Sequence, residues 1–299
     1  MKTSPSRRSF IRKSSLALGS LALSFPAWAK PVRNIGVQLY TFMGIIDQDV
    51  EGTLKKVAAL GFKDIESAFS LKGGYYGLKP KEFKSLLTGM GLAWRSHHAL
   101  GTPFVPPPDM KLPFDVKKMR SLKENRQELV DEVAEGGVPY LTCANIAIGS
   151  GDEIKKSIDI LNMTGEACKK AGLTLTYHNH DAEFKPVDGV VPYTLFLAQL
   201  SKDIKMELDL AWATKAGVDP VKLFQENPGR FPLWHVKDID QELKNVLPVG
   251  EGTIDFKRIF DKAKTAGLKY CFVEHDMPKD ALASVTSSIN YLKTKILNR

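Results

Sequence analysis

Three cysteines are too few, and too irregularly placed, to organise this fold. Cys143, Cys168 and Cys271 form an odd set without CxxC spacing, which excludes a disulfide framework; they read as buried thiols, two of them inside predicted strands. Long apolar runs are missing beyond the amino terminus. Nothing there approaches 18 uncharged apolar residues, so no permanent membrane anchor is expected. A phosphate cradle of the GxxxxGK[ST] type is also absent. A strong charge excess is missing once the first 29 residues are set aside. They carry Lys2, Arg7, Arg8, Arg12 and Lys13 and no acidic residue, so 37 of the 42 basic residues remain against 34 acidic ones, a net +3. That balance offers little support for nucleic-acid binding.

Those 29 residues form an export signal in three parts. Ser6-Arg7-Arg8-Ser9-Phe10-Ile11-Arg12 matches the twin-arginine pattern, an apolar stretch runs from Leu16 to Phe25, and Ala27-Trp28-Ala29 is an A-x-A cleavage site. The mature domain is therefore expected to span residues 30–299 and to reside in the periplasm.

From residue 30 onward, apolar β-type runs alternate regularly with helical-period runs. Strands are predicted at Ile35–Phe42, Lys63–Ala68, Leu92–His98, Tyr140–Ala147, Leu173–His180, Met206–Trp212, Phe231–Asp238 and Tyr270–Asp276. Helices are predicted near 50–60, 80–90, 116–135, 152–171, 192–200, 219–226, 255–266 and 280–297. Gly61, Gly91, Gly172 and Gly267 each stand just after a helical run, where a left-handed cap is expected. Pro103, Pro106, Pro107, Pro108 and Pro113 make 101–114 a long irregular loop after the third strand, in the place of a lid or pocket wall. Eight strands alternating with eight helices over about 270 residues give a (β/α)8 TIM barrel of the α/β class, ahead of an open doubly wound sheet.

In such a barrel the site gathers at the carboxyl ends of the strands, from side chains that alternate inward. All six histidines fall in four short apolar segments, Trp94–His98, Leu173–His180, Leu233–Asp238 and Cys271–Asp276. Such concentration points to one site. Parity places His178 with His180, Glu207 with Asp209, His235 with Lys237, and Glu274 with Asp276, while only one of His97 and His98 can face inward without a bulge. A histidine from the fifth strand, His235 and two carboxylates, Asp209 and Glu274, suit one divalent cation of the Mn, Co, Zn or Fe type.

The ordered segments Gly36-Val37-Gln38-Leu39-Tyr40, Gly61-Phe62-Lys63-Asp64-Ile65-Glu66, Tyr177-His178-Asn179-His180, Glu207-Leu208-Asp209, Trp234-His235-Val236-Lys237-Asp238, Gly250-Glu251-Gly252-Thr253-Ile254-Asp255-Phe256 and Phe272-Val273-Glu274-His275 resemble the xylose isomerase-like barrel superfamily, especially its sugar phosphate isomerase/epimerase branch. The resemblance implies a divalent metal held by strands five to eight, commonly through glutamate, aspartate, histidine and glutamate. Asp209, His235 and Glu274 match the last three. Aligning Gly172 with the family glycine puts His178 where the first glutamate is expected. The family's epimerases are thought to use both glutamates as acid/base partners, so another group must take over one role. An imidazole can ligate or move protons, though not both through one nitrogen.

The expected ligands are thus His178, Asp209, His235 and Glu274, and the titratable candidates for catalysis are Glu274, His180, Glu66 and Lys237, with His180 favoured for proton transfer. His98, Trp212, Glu251 and Tyr40 are expected to meet the substrate. The function these residues suggest is an exported, metal-dependent isomerase or epimerase that removes a proton next to a carbonyl of an unphosphorylated sugar. Elimination from a keto-glycoside by the same chemistry, or a non-catalytic sugar-binding barrel, is the alternative. An abasic-site endonuclease would need more ligands for a multinuclear zinc cluster, and a basic DNA-binding face. The partner expected is a small sugar, with neither nucleic acid nor a membrane anchor.

Overall fold

The computed structural model of the protein describes residues 34–106 and 119–297. The expected twin-arginine signal and cleavage site, and residues 107–114 of the proline-rich loop, lie outside the described residues.

Strands β1 (Gly36–Gln38), β2 (Asp64–Ser67), β3 (Ala93–Leu100), β4 (Tyr140–Asn145), β5 (Thr174–His178), β6 (Lys205–Asp209) and β7 (Leu233–Val236) run in parallel order around a barrel. A short antiparallel hairpin of β8 (Asp238–Ile239) and β9 (Val246–Leu247) comes next, and β10 (Tyr270–Val273) closes the barrel as its eighth strand. Gly36 and Val37 of β1 pair with Phe272 and Val273 of β10, so the sheet has no edge and the doubly wound alternative is excluded.

The helices are α1 (Val50–Ala59), α2 (Pro80–Gly89), α3 (Leu122–Glu135), α4 (Gly151–Lys170), α5 (Pro192–Gln199), α6 (Leu210–Lys215), α7 (Pro220–Glu226), α8 (Phe256–Phe260), α9 (Ala263–Ala266) and α10 (Ala281–Tyr291). In α4, Ile154, Ile158, Leu161 and Cys168 are buried, one stripe at helical spacing that covers the barrel wall. Ser150 caps its first turn by accepting from the Glu153 amide at 3.2 Å, and Asp152 and Glu153 at its start face Lys169 and Lys170 at its end, each sign favoured by the helix dipole at that terminus. Gly267 ends α9 with φ of 81°, and a side chain there would press on the Gly229 backbone, whose Cα lies 2.9 Å from the position of an added Cβ.

The observed strands are shorter than predicted because their last residues begin the next element. Leu39–Phe42 turns into a 3-10 helix. Asp209 ends β6 by capping α6, its Oδ1 accepting from the Trp212 amide at 2.8 Å, so Leu210–Trp212 is helix and not strand. The predicted helix 255–266 is two helices, and that at 280–297 finishes in a π-helical segment, Leu292–Leu297.

The outer faces of the strands pack on the helices through one hydrophobic cluster that includes Trp94, Tyr177, Met206, Leu208, Trp234 and Val273, together with Cys143, Cys168 and Cys271. All three cysteines are free thiols. The barrel interior differs from the usual layers of branched apolar side chains. Gln38, Glu66, Ser96, Thr142, Thr176, Glu207 and His235 are buried and bonded to one another across it, Thr142 Oγ1 lying 2.8 Å from Ser96 and 2.6 Å from Thr176. Buried polar groups persist when each finds a partner, and this interior layer carries the site above it.

Candidate metal and active site

Closure of the barrel brings His178 from the end of β5, Asp209 from β6, His235 from β7 and Glu274 just past β10 together at one buried point. Each offers a ligand atom, and all four atoms lie within 4.8 Å of one another. The register explains the meeting: Asp209 pairs with His235, and His235 with Phe272 two residues before Glu274.

Hydrogen bonds on the far side of each imidazole decide which nitrogen faces this point. His178 Nδ1 lies 3.1 Å from the Ala144 carbonyl. A carbonyl only accepts, so Nδ1 carries the proton, and the Nε2 lone pair looks at Asp209 Oδ2, 3.4 Å away. His235 Nε2 lies 2.5 Å from Glu66 Oε2, and burial, which would raise the Glu66 pKa, is outweighed by His98 and then His235, which hold it at about 2. That carboxylate accepts, so His235 presents Nδ1 to Glu274 Oε2 at 2.7 Å and to Asp209 Oδ2 at 3.8 Å.

His235 Nδ1 is buried without a well-formed hydrogen bond, and Glu274 Oε2, 2.7 Å away, is otherwise met among the described residues only by the Lys237 ammonium at 2.6 Å. Lone pairs from two imidazoles and two carboxylates therefore converge, the donor set of a borderline divalent cation, with Glu66 holding one ligand ring as a carboxylate behind it. The residues fit a metal. Burial depresses the His178 pKa well below its ordinary value, aided by His235 and His180, which keeps that imidazole neutral. Burial also opposes charge on His235, but Glu207, Glu274 and Glu66 push its pKa well up; the same field that favours a proton on Nδ1 favours a metal cation there.

Lys237 completes the electrostatics. Its fully buried Nζ lies 2.9 Å from Asp209, 2.6 Å from Glu274 and 2.8 Å from Asp276. Burial alone would lower its pKa, yet Asp209, Asp276 and Glu274 carry it well above the lysine value. Three carboxylates around one ammonium leave a formal charge of minus two, which one divalent cation balances.

A second group with ligand chemistry sits one layer deeper: Glu66, His98, Glu207 and His235. Here hydrogen bonds occupy most of the atoms. Gln38 Nε2 donates to Glu66 at 2.7 Å, and His98 Nε2 lies 2.7 Å from Glu207 Oε2. Burial, reinforced by Glu66, raises the Glu207 pKa to about 7. This layer orients the ligands above it.

The pocket over the upper group is about 130 Å³, and its wall includes Tyr40, His98, Asn145, His178, His180 and Glu274. Four histidine rings cluster at its floor and wall, with His178 edge-on or tilted to the other three, at centroid distances of 4.9 Å to His98, 4.9 Å to His180 and 4.5 Å to His235. The expectation that all six histidines form one site is corrected. His97 points to the outer side, edge-on to Tyr75 at 4.9 Å and bonded to Ser67 Oγ at 2.8 Å, because adjacent strand residues face opposite ways. His275 bonds Ser284 Oγ at 2.7 Å beside a different cleft.

The remaining expected residues divide in the same way. His180 reaches the pocket with its side chain 40% exposed, Nδ1 3.9 Å from Glu183. Glu66 and Lys237 are wholly buried beneath the pocket, bonded to ligands rather than lining the wall, which suits positioning better than substrate contact. Trp212, displaced onto α6, flanks the site with its ring 6.0 Å from His180 and 5.4 Å from Lys237 Nζ. Glu251 stands outside the pocket, in the neighbouring cleft against Ser287, because Asp238 ties the loop down by accepting from the amides of Gly250, Gly252 and Ile254. Sequence reasoning gave Glu207, Gln38 and Asp276 no role. For Glu207 and Asp276 the signal was present, since each lies two residues from an expected ligand; Gln38 had none.

A family model described as xylose isomerase-like TIM barrel matches residues 54–295. Two crystal structures of sugar phosphate isomerase/epimerase proteins from Parabacteroides distasonis are similar to this chain. One is 27% identical with a TM-score of 0.72, covering 91% of this chain and 97% of that one. The other is 26% identical with a TM-score of 0.75, covering 89% and 100%. A D-allulose 3-epimerase from Methylomonas sp., 14% identical with a TM-score of 0.64 over 88% and 98% of the two chains, shares the fold. No curated protein matches the sequence.

Proposed function

The chain belongs to the xylose isomerase-like TIM barrel family, and on that premise we propose that it is a divalent-metal-dependent isomerase or epimerase of an unphosphorylated sugar, exported to the periplasm. The observation that carries the reading is the convergence of His178 Nε2, Asp209 Oδ2, His235 Nδ1 and Glu274 Oε2 at the pocket floor. The Parabacteroides structures support the isomerase/epimerase class. A neutral sugar is supported by the pocket itself. Among the described residues its wall holds Glu274 and Asp276 and no lysine or arginine, a poor setting for a phosphate.

His178, Asp209, His235 and Glu274 would hold the cation, whose chemistry when bound is Lewis acidity toward carbonyl and hydroxyl oxygens. The protein's own groups do the rest. His180, the titratable group most open to the pocket, takes the proton from the carbon next to the carbonyl. Glu274 lies on the floor within reach of the same carbon and is the second acid/base. Glu66 keeps the His235 ring in its ligating tautomer, Lys237 holds Asp209 and Glu274 in place, and Tyr40 and Trp212 bound the sugar. Returning the proton to a different carbon or face gives isomerisation or epimerisation. Elimination is the second reading, favoured by His178 standing where the family commonly has its fifth-strand glutamate, which removes the paired carboxylates of a two-base epimerase.

The test is incubation of cation-loaded mature protein with ketoses and 3-keto-glycosides in D2O. Deuterium next to the carbonyl is expected, and the product separates isomerase from lyase. Stoichiometric sugar binding with no exchange in any substrate would reduce the protein to a binding barrel.

A further inference from the structure

Beside the central pocket lies a cleft of about 810 Å³ between the 244–251 segment and the start of α10, and Asp276 lines both. We propose that the substrate is a neutral glycoside of at least two rings, with the reacting ring over His178 and Glu274 and the second ring in this cleft. The inference rests on the sugar reading above and extends it to substrate size.

Size is the first argument. Small-molecule sites commonly occupy roughly 300–1,000 Å³; the central pocket, at about 130 Å³, falls below that range, and the cleft falls within it. Asp276, whose carboxylate is held by Lys237 at 2.8 Å, lines both spaces, so they lie side by side across a single side chain.

Chemistry is the second. The charges of the cleft are of both signs and several are already engaged. Lys244 pairs with Glu242 at 2.7 Å, and Asp280 caps α10 by accepting from the Ala283 amide at 3.0 Å. The lining also holds Lys279, and two lysines against Glu251, Asp276 and Asp280 leave a net negative charge, which disfavours a phosphate or carboxylate relative to a neutral partner. Its free polar surface is the kind that reads hydroxyl groups: Glu251 and Ser287 meet at 2.5 Å, and His275 meets Ser284 at 2.7 Å, each pair retaining acceptor capacity toward a ligand. Met277 supplies an apolar rim. It is 72% exposed and held at a φ of 47°, a left-handed conformation that costs a non-glycine residue about 1–3 kcal/mol and clusters at ligand sites.

The test is calorimetric titration of the mature protein with glucose and with maltose, cellobiose, sucrose and lactose. At least one disaccharide is expected to bind about ten-fold or more tightly than glucose. Ala283→Trp fills the cleft from an exposed helical position, and is expected to bring that disaccharide to the glucose level without changing glucose affinity; Ala283→Arg is the second filling variant, and circular dichroism checks the fold of both. Equal affinity for one and two rings, failure of every disaccharide to bind, or a disaccharide preference untouched by either folded variant would overturn the inference. The catalytic reading fails separately: deuterium exchange without a second-ring gain sinks only the extended site, and a second-ring gain without exchange sinks only the chemistry.

Discussion

Glu66 and His235, 169 positions apart in the chain, meet at 2.5 Å in the centre of the barrel. The contact sets the tautomer of the imidazole and turns Nδ1 toward Glu274 and Asp209. Carboxylates in this position behind a ligating histidine typically contribute 10–100-fold in metal affinity. Glu66→Gln is therefore expected to weaken Mn or Zn binding by about that factor while the barrel remains folded, as measured by competition with a chelator. Unchanged affinity would remove Glu66 from the site.

Asp209→Asn and His235→Ala are expected to lose most of the bound metal by elemental analysis. Asparagine keeps an oxygen to cap α6, so the loss in that variant reads the ligand and not the helix. His180→Gln is expected to stay metal-replete yet lose about 10² to 10⁴ in turnover, the usual contribution of a general acid/base. Full occupancy in both of the first two variants would reject the ligand set. An emptied His180→Gln site would shift the fifth-strand ligand to His180.

Lys237→Met leaves the buried Asp209 and Glu274, and the half-buried Asp276, without their ammonium. Removing one partner of a buried ion pair costs about 3–5 kcal/mol. The variant should therefore unfold at lower denaturant in the presence of chelator and recover part of the difference in saturating divalent cation, gaining more from the metal than the wild type does. A variant as stable as wild type in chelator would refute the electrostatic role.

His97 should tie stability to pH. Burial, with Arg120 and His98 adding to it, lowers its pKa from the ordinary 6.5 to about 3. Between those values the unfolded chain binds a proton that the native protein does not, so stability falls as pH drops from 6.5 toward 3. One such proton is about 1.4 kcal/mol per pH unit, or roughly 2–3 kcal/mol between pH 6.5 and 4.5. Urea titrations at the two pH values should show His97→Gln losing less stability on acidification than wild type by about that amount; an equal loss in both proteins would contradict it.

The export proposed from Arg7 and Arg8 is testable. Replacing Arg7 and Arg8 by lysine is expected to retain the precursor inside the cell, and amino-terminal sequencing of the native mature protein is expected to begin at or near Lys30. Intact Met1 in the periplasmic fraction would count against cleavage.

The alternation of strands and helices, and the inward set His178, Asp209, His235, Lys237 and Glu274, were legible in the chain because they depend on local periodicity: a strand repeats every two residues, whatever it packs against. The partition of His97 from His98 obeys the same rule. Strand ends were less legible. Whether Trp212 continues β6 or enters a helix turns on one cap, the bond from its amide to Asp209, and a short apolar run is compatible with either. How the groups answer one another was settled by three-dimensional packing alone. The nitrogen that each imidazole turns to the site is set by a partner from another strand, Ala144 for His178 and Glu66 for His235. Lys237 becomes a buried counterion because barrel closure brings Asp209, Glu274 and Asp276 around it, and Glu251 is kept from the pocket by the bonds that Asp238 makes to the loop amides on either side of it. Proton positions and ion pairs depend on distances of a few ångströms between residues tens to hundreds of positions apart, and periodicity along one strand carries no measure of those distances.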